Sequence, residues 1–313
     1  MENAPLHAGL AQGPEGGNAY WLRCADTLRI RIAVWRRPGG DEKGTVLLFP
    51  GRTEYIEKFG LAVAEMAARG YAVLVVDWRG QGLADRLTAD PLRGHVNDFA
   101  EYQTDVAAVM EAVTALGLPR PLHLLAHSMG GAIGLRALTR GLPVASAAFS
   151  APMWGIAIPA YKRPIARPLT AVNCALGRGE TYAPDNGPVP YVYEAAFAGN
   201  MLTTDAAMYA RMIGHLAAEP GLTLSGPTMR WLNAALAECR TLTALASPDV
   251  PALASLGSNE RIVDPQGIRN RMARWPRGQL LAIEGGEHEV MMETPPRRTL
   301  FFDSVAKLFD ENA

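Results

Sequence analysis

The chain has 313 residues, enough to bury a large core as one domain or as a domain carrying an inserted piece. Hydrophobic residues make up 49% and charged residues 19%, the balance of a compact globular protein. A formal net charge of -1 supplies no basic field for nucleic acid or anionic lipid. No apolar run approaches the roughly 18 residues of a membrane span. Met1 to Asn18, with acidic Glu2 and no basic stretch ahead of an apolar core, is not expected to be a signal peptide. The three cysteines, Cys24, Cys174 and Cys239, are widely spaced and odd in number, which suggests neither a disulfide framework nor a zinc site. Buried free thiols in a reducing cytoplasm are the expectation.

Residues 1–20 are rich in Gly, Pro and Ala and read as an irregular arm. From Thr27 to Arg37, Leu28, Ile30, Ile32 and Val34 alternate with Arg29, Arg31, Ala33 and Trp35, the period of a half-exposed strand. Pro38-Gly39-Gly40 ends it. Thr45 to Phe49 is a continuous apolar run, as in a strand covered on both faces. Lys58 to Arg69 reads as a helix stopped by Gly70, and Tyr71 to Val76 as another buried strand. Asp98-Phe99-Ala100-Glu101 has the form of a capping box opening a helix to about Leu116. Leu122 to Ala126 and Val144 to Phe149 are the next strands. This alternation predicts an α/β fold, a mainly parallel sheet with helices on both faces and a ligand site at the carboxyl ends of the strands. It lapses after Ser150. From Ala151 to Ser247 the text is helical or loop-like and dense in proline, with Asp205 to Leu216 and Thr228 to Leu242 the clearest helices. Strands resume at Val250 to Leu256 and Gln279 to Ile283, before a last helix from about Arg297 to Phe309. The expected organisation is a core in two parts, residues 1–150 and 248–313, with a helical cap or lid over residues 151–247.

Ser128 stands where an apolar run stops abruptly, in Ala126-His127-Ser128-Met129-Gly130-Gly131, before a helical stretch. A serine hydroxyl is a poor nucleophile unless a turn forces its geometry and a base lies nearby. Strand, sharp turn and helix supply that geometry, with small residues where the two backbones pass. Ala126 stands where the usual G-x-S-x-G pattern has its first glycine. Of the six histidines, His288 lies directly after the last apparent strand, where a loop can swing an imidazole over the serine. His95, in a loop near the sheet edge, is the harder one to dismiss; His123 and His127 read as packing or bonding locally. The acid belongs between serine and histidine in the chain. Glu260 and Asp264 share the loop after Leu256; Glu260, nearer the strand end, is favoured and Asp264 is the alternative. An oxyanion hole needs two backbone donors. The N–H of Met129 is one, and the N–H of Arg52, in the loop after Phe49, is the candidate for the other, with Glu54 placed to fasten that loop.

Together these residues resemble the α/β-hydrolase superfamily, and more narrowly its lysophospholipase and monoacylglycerol lipase branch, often labelled serine aminopeptidase S33-like. The resemblance covers about Thr27 to the C-terminus. It rests on Pro50-Gly51-Arg52-Thr53-Glu54-Tyr55, Asp77-Trp78-Arg79-Gly80-Gln81-Gly82, Gly94 to Phe99, Ala126 to Gly131, Gly257 to Asp264 and Gly286-Glu287-His288. Asn200 to Asp205 and Pro227 to Leu232 also look like lysophospholipase L2. The chain departs from the family at Ala126, at Glu260 where members usually have Asp, and at Pro50 where many have His. The resemblance implies a triad of Ser128, Glu260 and His288 and a cap over an acyl pocket, to which Met153 to Ile158 would contribute. The implied enzyme is a metal-free and cofactor-free serine hydrolase of carboxylic esters, taking a lysophospholipid or monoacylglycerol. Short esters, amides or peptides remain open as substrates, and so does a non-catalytic binding protein on the same fold. The expected partner is a small-molecule ester or lipid, with at most transient contact at a membrane surface.

Overall fold

Short apolar runs separated by helices assemble into one nine-stranded sheet. The computed structural model describes residues 1–37 and 39–313; Pro38, expected to help end the first strand, lies outside the described residues. In chain order the elements are β1 (Glu2–Asn3), α1 (Ala8–Ala11), β2 (Asn18–Arg23), β3 (Arg29–Trp35), β4 (Thr45–Phe49), α2 (Gly60–Ala68), β5 (Ala72–Asp77), α3 (Glu101–Ala115), β6 (Leu122–His127), α4 (Met129–Thr139) and β7 (Ser146–Ser150). Then come α5 (Arg163–Ala175), α6 (Tyr191–Glu194), α7 (Ala206–Ala218), α8 (Met229–Ala244), β8 (Ala252–Gly257), α9 (Pro265–Met272), β9 (Gly278–Ile283) and α10 (Pro295–Asp310).

The strand order is β1-β2-β3-β5-β4-β6-β7-β8-β9. The first three strands are antiparallel to their neighbours, and from β5 to β9 every pairing is parallel. Every residue of β4, β5, β6, β7 and β8 is buried, which is why these runs carry no polar alternation. The chain builds outward from β4 in one direction through β5 and in the other through β6. The loops leaving β4 and β6 therefore part at the carboxyl ends of two adjacent strands, the crevice where such sheets hold ligands. No strand of the sheet falls between β7 and β8; that span holds α5 to α8.

Several expectations need correction. The arm over residues 1–20 is not irregular throughout, because β1 and β2 pair with each other and β2 with β3. The alternation in β3 does not leave one face to solvent. Arg31 is fully buried, its guanidinium held 2.7 Å from both Glu57 Oε2 and Asp77 Oδ2. The arm supplies a further acceptor, Pro5 O at 2.8 Å. Removing one member of such a buried set typically costs about 3–5 kcal/mol, so it fastens the arm to the sheet. The helix expected from Lys58 is a 3-10 turn, Ile56–Phe59, running into α2. The capping box does not form. Asp98 accepts from the Ala100 N–H at 2.8 Å, making a tight turn, and α3 begins only at Glu101. Helix α5, hidden by its prolines, tolerates Pro164 in its first turn and carries Pro168 inside. Asp205 and Thr228 do cap α7 and α8 with their side chains. The three cysteines are free, Cys24 and Cys239 buried and Cys174 only half-buried.

Candidate active site

β6 ends at His127, and Ser128 takes φ 49° and ψ −117°, a left-handed backbone that side chains rarely adopt. Three hydrogen bonds hold the turn. The Ser128 N–H donates to Ser150 O at 3.0 Å, and Ser128 O accepts from Gly131 N at 2.9 Å and Met153 N at 2.8 Å. α4 leaves so close to β4 that a Cβ on Gly130 would lie 2.1 Å from Phe49 O. Only glycine fits there.

The Ser128 Oγ lies 3.0 Å from His288 Nε2, and His288 Nδ1 lies 2.8 Å from Glu260 Oε2. An ionised carboxylate only accepts, so Nδ1 carries the imidazole proton and Nε2 is left to accept from the serine hydroxyl. Glu260 stays ionised. Burial pushes its carboxyl up, but the His288 imidazole and the N–H groups of Val263 and Ile262 outweigh that and hold it below its usual value. Those two N–H groups reach Glu260 Oε1 at 3.0 and 2.7 Å. Asp264, four residues on, points elsewhere: it caps α9 by accepting from the Gln266 N–H at 3.1 Å. His95 does not reach Ser128 either. Its Nδ1 bonds Thr228 Oγ1 at 2.9 Å, tying its loop to the start of α8.

Two unpaired amides lie on the segments flanking the serine, and a Cβ on Gly51, next to Arg52, would stand 3.0 Å from Ser128 Cβ. Met129 is the first residue of α4, so its N–H has no helical acceptor. The N–H of Arg52, in the loop after β4, donates to no group among the described residues. That loop is pinned on every side. Glu54 Oε2 accepts the Gly51 N–H, Gln81 Nε2 donates to Gly51 O at 2.7 Å, and Trp78 Nε1 donates to Pro50 O at 2.9 Å. Donors fixed in advance are what a developing oxyanion requires.

Beneath the serine lies a buried charged group that the sequence did not disclose. Lys58 Nζ sits 2.5 Å from Glu54 Oε1 and 2.7 Å from Glu289 Oε1. His127 Nδ1 donates to Ser150 O at 3.0 Å, while its Nε2 faces Glu289 Oε2 at 3.4 Å. Burial pushes the His127 imidazole down, but Glu289 and Glu54 outweigh it and raise it. Burial likewise opposes the Glu289 carboxylate, yet Lys58 and His127 hold it well below its usual value. The cluster ties the β4 loop, the strand before the serine and the loop bearing His288 into one block. Glu54, His127 and Glu289 have the spacing of a metal site, but the Lys58 ammonium already stands between the two carboxylates as their cation. The signals were a Glu/Lys pair four apart and a glutamate next to His288; what they lacked was any hint that the two loops meet.

A cavity of about 430 Å³ opens over Ser128 and His288, lined by apolar side chains that include Met153, Ile156, Leu202, Met212, Leu224 and Trp231. Trp154, by contrast, turns into the core against Phe149 and Trp275. A family model described as "Serine aminopeptidase, S33" matches residues 40–295. The chain belongs to this hydrolase family. Lysophospholipase L2 of Escherichia coli strain K12 is 32% identical over 305 residues, covering 92% of this chain and 86% of that protein. A probable lysophospholipase L2 of Haemophilus influenzae is 31% identical over 261 residues, with 82% and 80% covered. The fold is shared with a soluble variant of the Saccharomyces cerevisiae monoglyceride lipase in complex with a substrate analogue, at TM-score 0.71 and 20% identity over 91% of this chain and 92% of that one. A lipase in open form matches at TM-score 0.75 and 16% identity over 95% and 99%. The fold is thus that of the α/β-hydrolases, and the protein is an enzyme of the hydrolase class.

The two carboxylates of the acid loop are separable by activity. Glu260→Gln is expected to lower kcat by about 10³–10⁴, because the imidazole then loses the acceptor that fixes its tautomer. Asp264→Asn should change kcat by less than about tenfold, since only a helix cap is weakened. The reverse order, read from steady-state rates of the two variants, would assign the acid to Asp264.

Proposed function

We propose that the protein hydrolyses the carboxylic ester of mono-acylated lipids, lysophospholipids or monoacylglycerols, through an acyl-enzyme on Ser128. The observation that carries this reading is the unbroken chain Ser128–His288–Glu260 opening into a mainly apolar cavity. The curated relatives described as lysophospholipases support the substrate class. Ser128 Oγ attacks the ester carbonyl while its proton passes to His288 Nε2. The carbonyl oxygen, now negative, is held by the N–H groups of Arg52 and Met129. Collapse expels the alcohol, which takes the proton from Nε2. Water then gives its proton to Nε2 and attacks the acyl carbon, and the serine leaves with that proton restored. Every step uses side-chain or backbone groups of the chain, so the reading needs no metal or cofactor.

Residues 151–247 act in this reading as a cap over a core made of residues 1–150 and 248–313, with the cavity between them taking the acyl chain. Membrane-surface contact is part of the proposal. No helix among the described residues is long and apolar enough to cross a membrane. Helix α5 and its C-cap residue, however, turn Ile165, Leu169, Val172 and Leu176 outward, beside exposed Arg163 and Arg167. An apolar stripe flanked by arginines suits shallow insertion into an anionic interface. Three free cysteines fit a reducing cytoplasm as the place of action.

Two measurements test these points. Wild-type and Ser128→Ala proteins are compared on p-nitrophenyl esters of graded acyl length and on amino-acid p-nitroanilides. The wild type should favour long acyl esters over anilides, and Ser128→Ala should lose at least about 10⁴-fold in kcat. Equal rates in the variant, or faster anilide cleavage, would contradict the ester mechanism. In the second, phosphatidylglycerol vesicles should sediment the wild type more than Leu169→Asp; identical sedimentation removes α5 as the contact.

A further inference from the structure

Among the described residues, the permanently charged basic side chains lining the cavity are Arg52, Lys58 and Arg261. Lys58 is neutralised by Glu54 and Glu289. Arg261 pairs with Glu287 at 3.2 Å and donates to Asn200 O at 2.9 Å. Arg52 has no carboxylate partner among the described residues. Its Nη1 donates to Ser225 O at 2.9 Å, its guanidinium lies 5.5 Å from the Trp231 ring centroid, and its Nε and Nη2 donate to no protein group among those residues. Burial pushes this guanidinium down to about 10, which leaves it charged at neutral pH. The side chain is only half-buried, so keeping its charge without a counter-ion costs little, and an anion entering the cavity meets it unpaired.

We propose that the Arg52 side chain is a phosphate-binding subsite that selects the phosphodiester of a lysophospholipid over the neutral glycerol of a monoacylglycerol. The inference rests on the lipid-ester reading above and sharpens it. Three features support it. First, a guanidinium presents a planar fork of donors that matches phosphate oxygens, and here the carbonyl of Ser225 and the face of Trp231 fix its plane. Second, the reach is right. The Arg52 amide is the candidate donor to the scissile carbonyl oxygen, and its guanidinium stands roughly 6–7 Å away along the side chain. In a lysophospholipid acylated at the end of the glycerol, about six bonds separate the ester carbon from phosphorus, a comparable span. One residue can therefore hold both ends of the glycerophosphate segment, the oxyanion through its backbone and the phosphate through its side chain. Third, no carboxylate pairs with Arg52 among the described residues, although Asp185 and Glu194 line the same cavity, so the positive charge at this point is open to an anion.

A purely structural role is the competing explanation: Arg52 would clamp the loop segment at Ser225 over the β4 loop, and its loss would slow every substrate alike. The test compares wild type, Arg52→Gln and Arg52→Lys on lauroyl lysophosphatidylglycerol and on 1-monolauroylglycerol, with fluorophosphonate labelling of Ser128 to show that each variant is folded. Arg52→Gln should lower kcat/KM for the phosphodiester at least about tenfold more than for the neutral ester, chiefly through KM, and Arg52→Lys should recover part of the difference. An equal fall on both lipids overturns the phosphate subsite. Cleavage of neither lipid by the wild type overturns the lipid-ester reading, and the subsite with it. A measurement on the wild type alone guards against unfolding of the variants. The non-hydrolysable decyl ethers of glycerophosphoglycerol and of glycerol, used below micelle-forming concentrations, compete with a p-nitrophenyl ester. The phosphodiester ether should inhibit at least about tenfold more tightly, and equal inhibition overturns the proposal.

Discussion

The site depends on one backbone constraint, the left-handed conformation of Ser128 at the end of β6. A serine with φ 49° turns the chain so sharply that strand and helix nearly touch, and its hydroxyl is left clear of both. Such a conformation persists only where its surroundings over-determine it. Here the neighbours on both sides do so. β7 takes the Ser128 N–H through Ser150 O, and the end of β4 leaves room beside α4 only for Gly130. Because β4 and β6 are adjacent and parallel, the loop carrying the Arg52 amide emerges beside that same turn. The position of the hydroxyl and the position of the amides follow from one piece of packing.

Buried charge does much of the remaining positioning, in several places as closely matched ion sets. Arg31 is matched by Glu57 and Asp77 and ties the N-terminal arm to the sheet. Arg79 is matched by Asp105 at 2.7 Å and closes the loop after β5. Lys58 is matched by Glu54 and Glu289 and joins the β4 loop to the loop bearing His288. Each of these cations is enclosed by its partners and available to nothing else. Arg271 shows that a cation can also be held without a carboxylate, by the carbonyls of Leu242 and Leu245 and by Ser247 Oγ; Arg52 differs in lining the cavity with a single carbonyl partner, Ser225 O.

What the sequence disclosed and what it hid divide along the range of the interactions. The buried parallel strands were legible because a strand covered on both faces is mainly apolar, as residues 46–49 and 124–126 are. The turn at Ser128 was legible because its demand for small residues is local. Glu260 and Asp264 could not be separated by position alone, since both lie in one loop. The structure separates them through the Ile262 and Val263 amides, which aim Glu260 at His288, and through α9, whose N-terminus occupies Asp264. The burial of Arg31 and the Lys58 cluster were invisible for another reason. An arginine alternating with apolar residues looks solvent-facing until a distant glutamate and aspartate are known to cover it. The prolines of α5 hid a helix because Pro164 sits in a first turn, where the ring is tolerated.

The most direct test of the account is the structure of the protein after reaction with a long-chain alkylphosphonate, whose phosphorus mimics the tetrahedral carbon of ester cleavage. The account predicts a covalent bond from Ser128 Oγ to phosphorus, the phosphoryl oxygen within hydrogen-bond distance of both the Arg52 and Met129 N–H groups, and the alkyl chain in the cavity lined by Met153 and Trp231. A bond to any other residue, or a phosphoryl oxygen turned away from both amides, would contradict it.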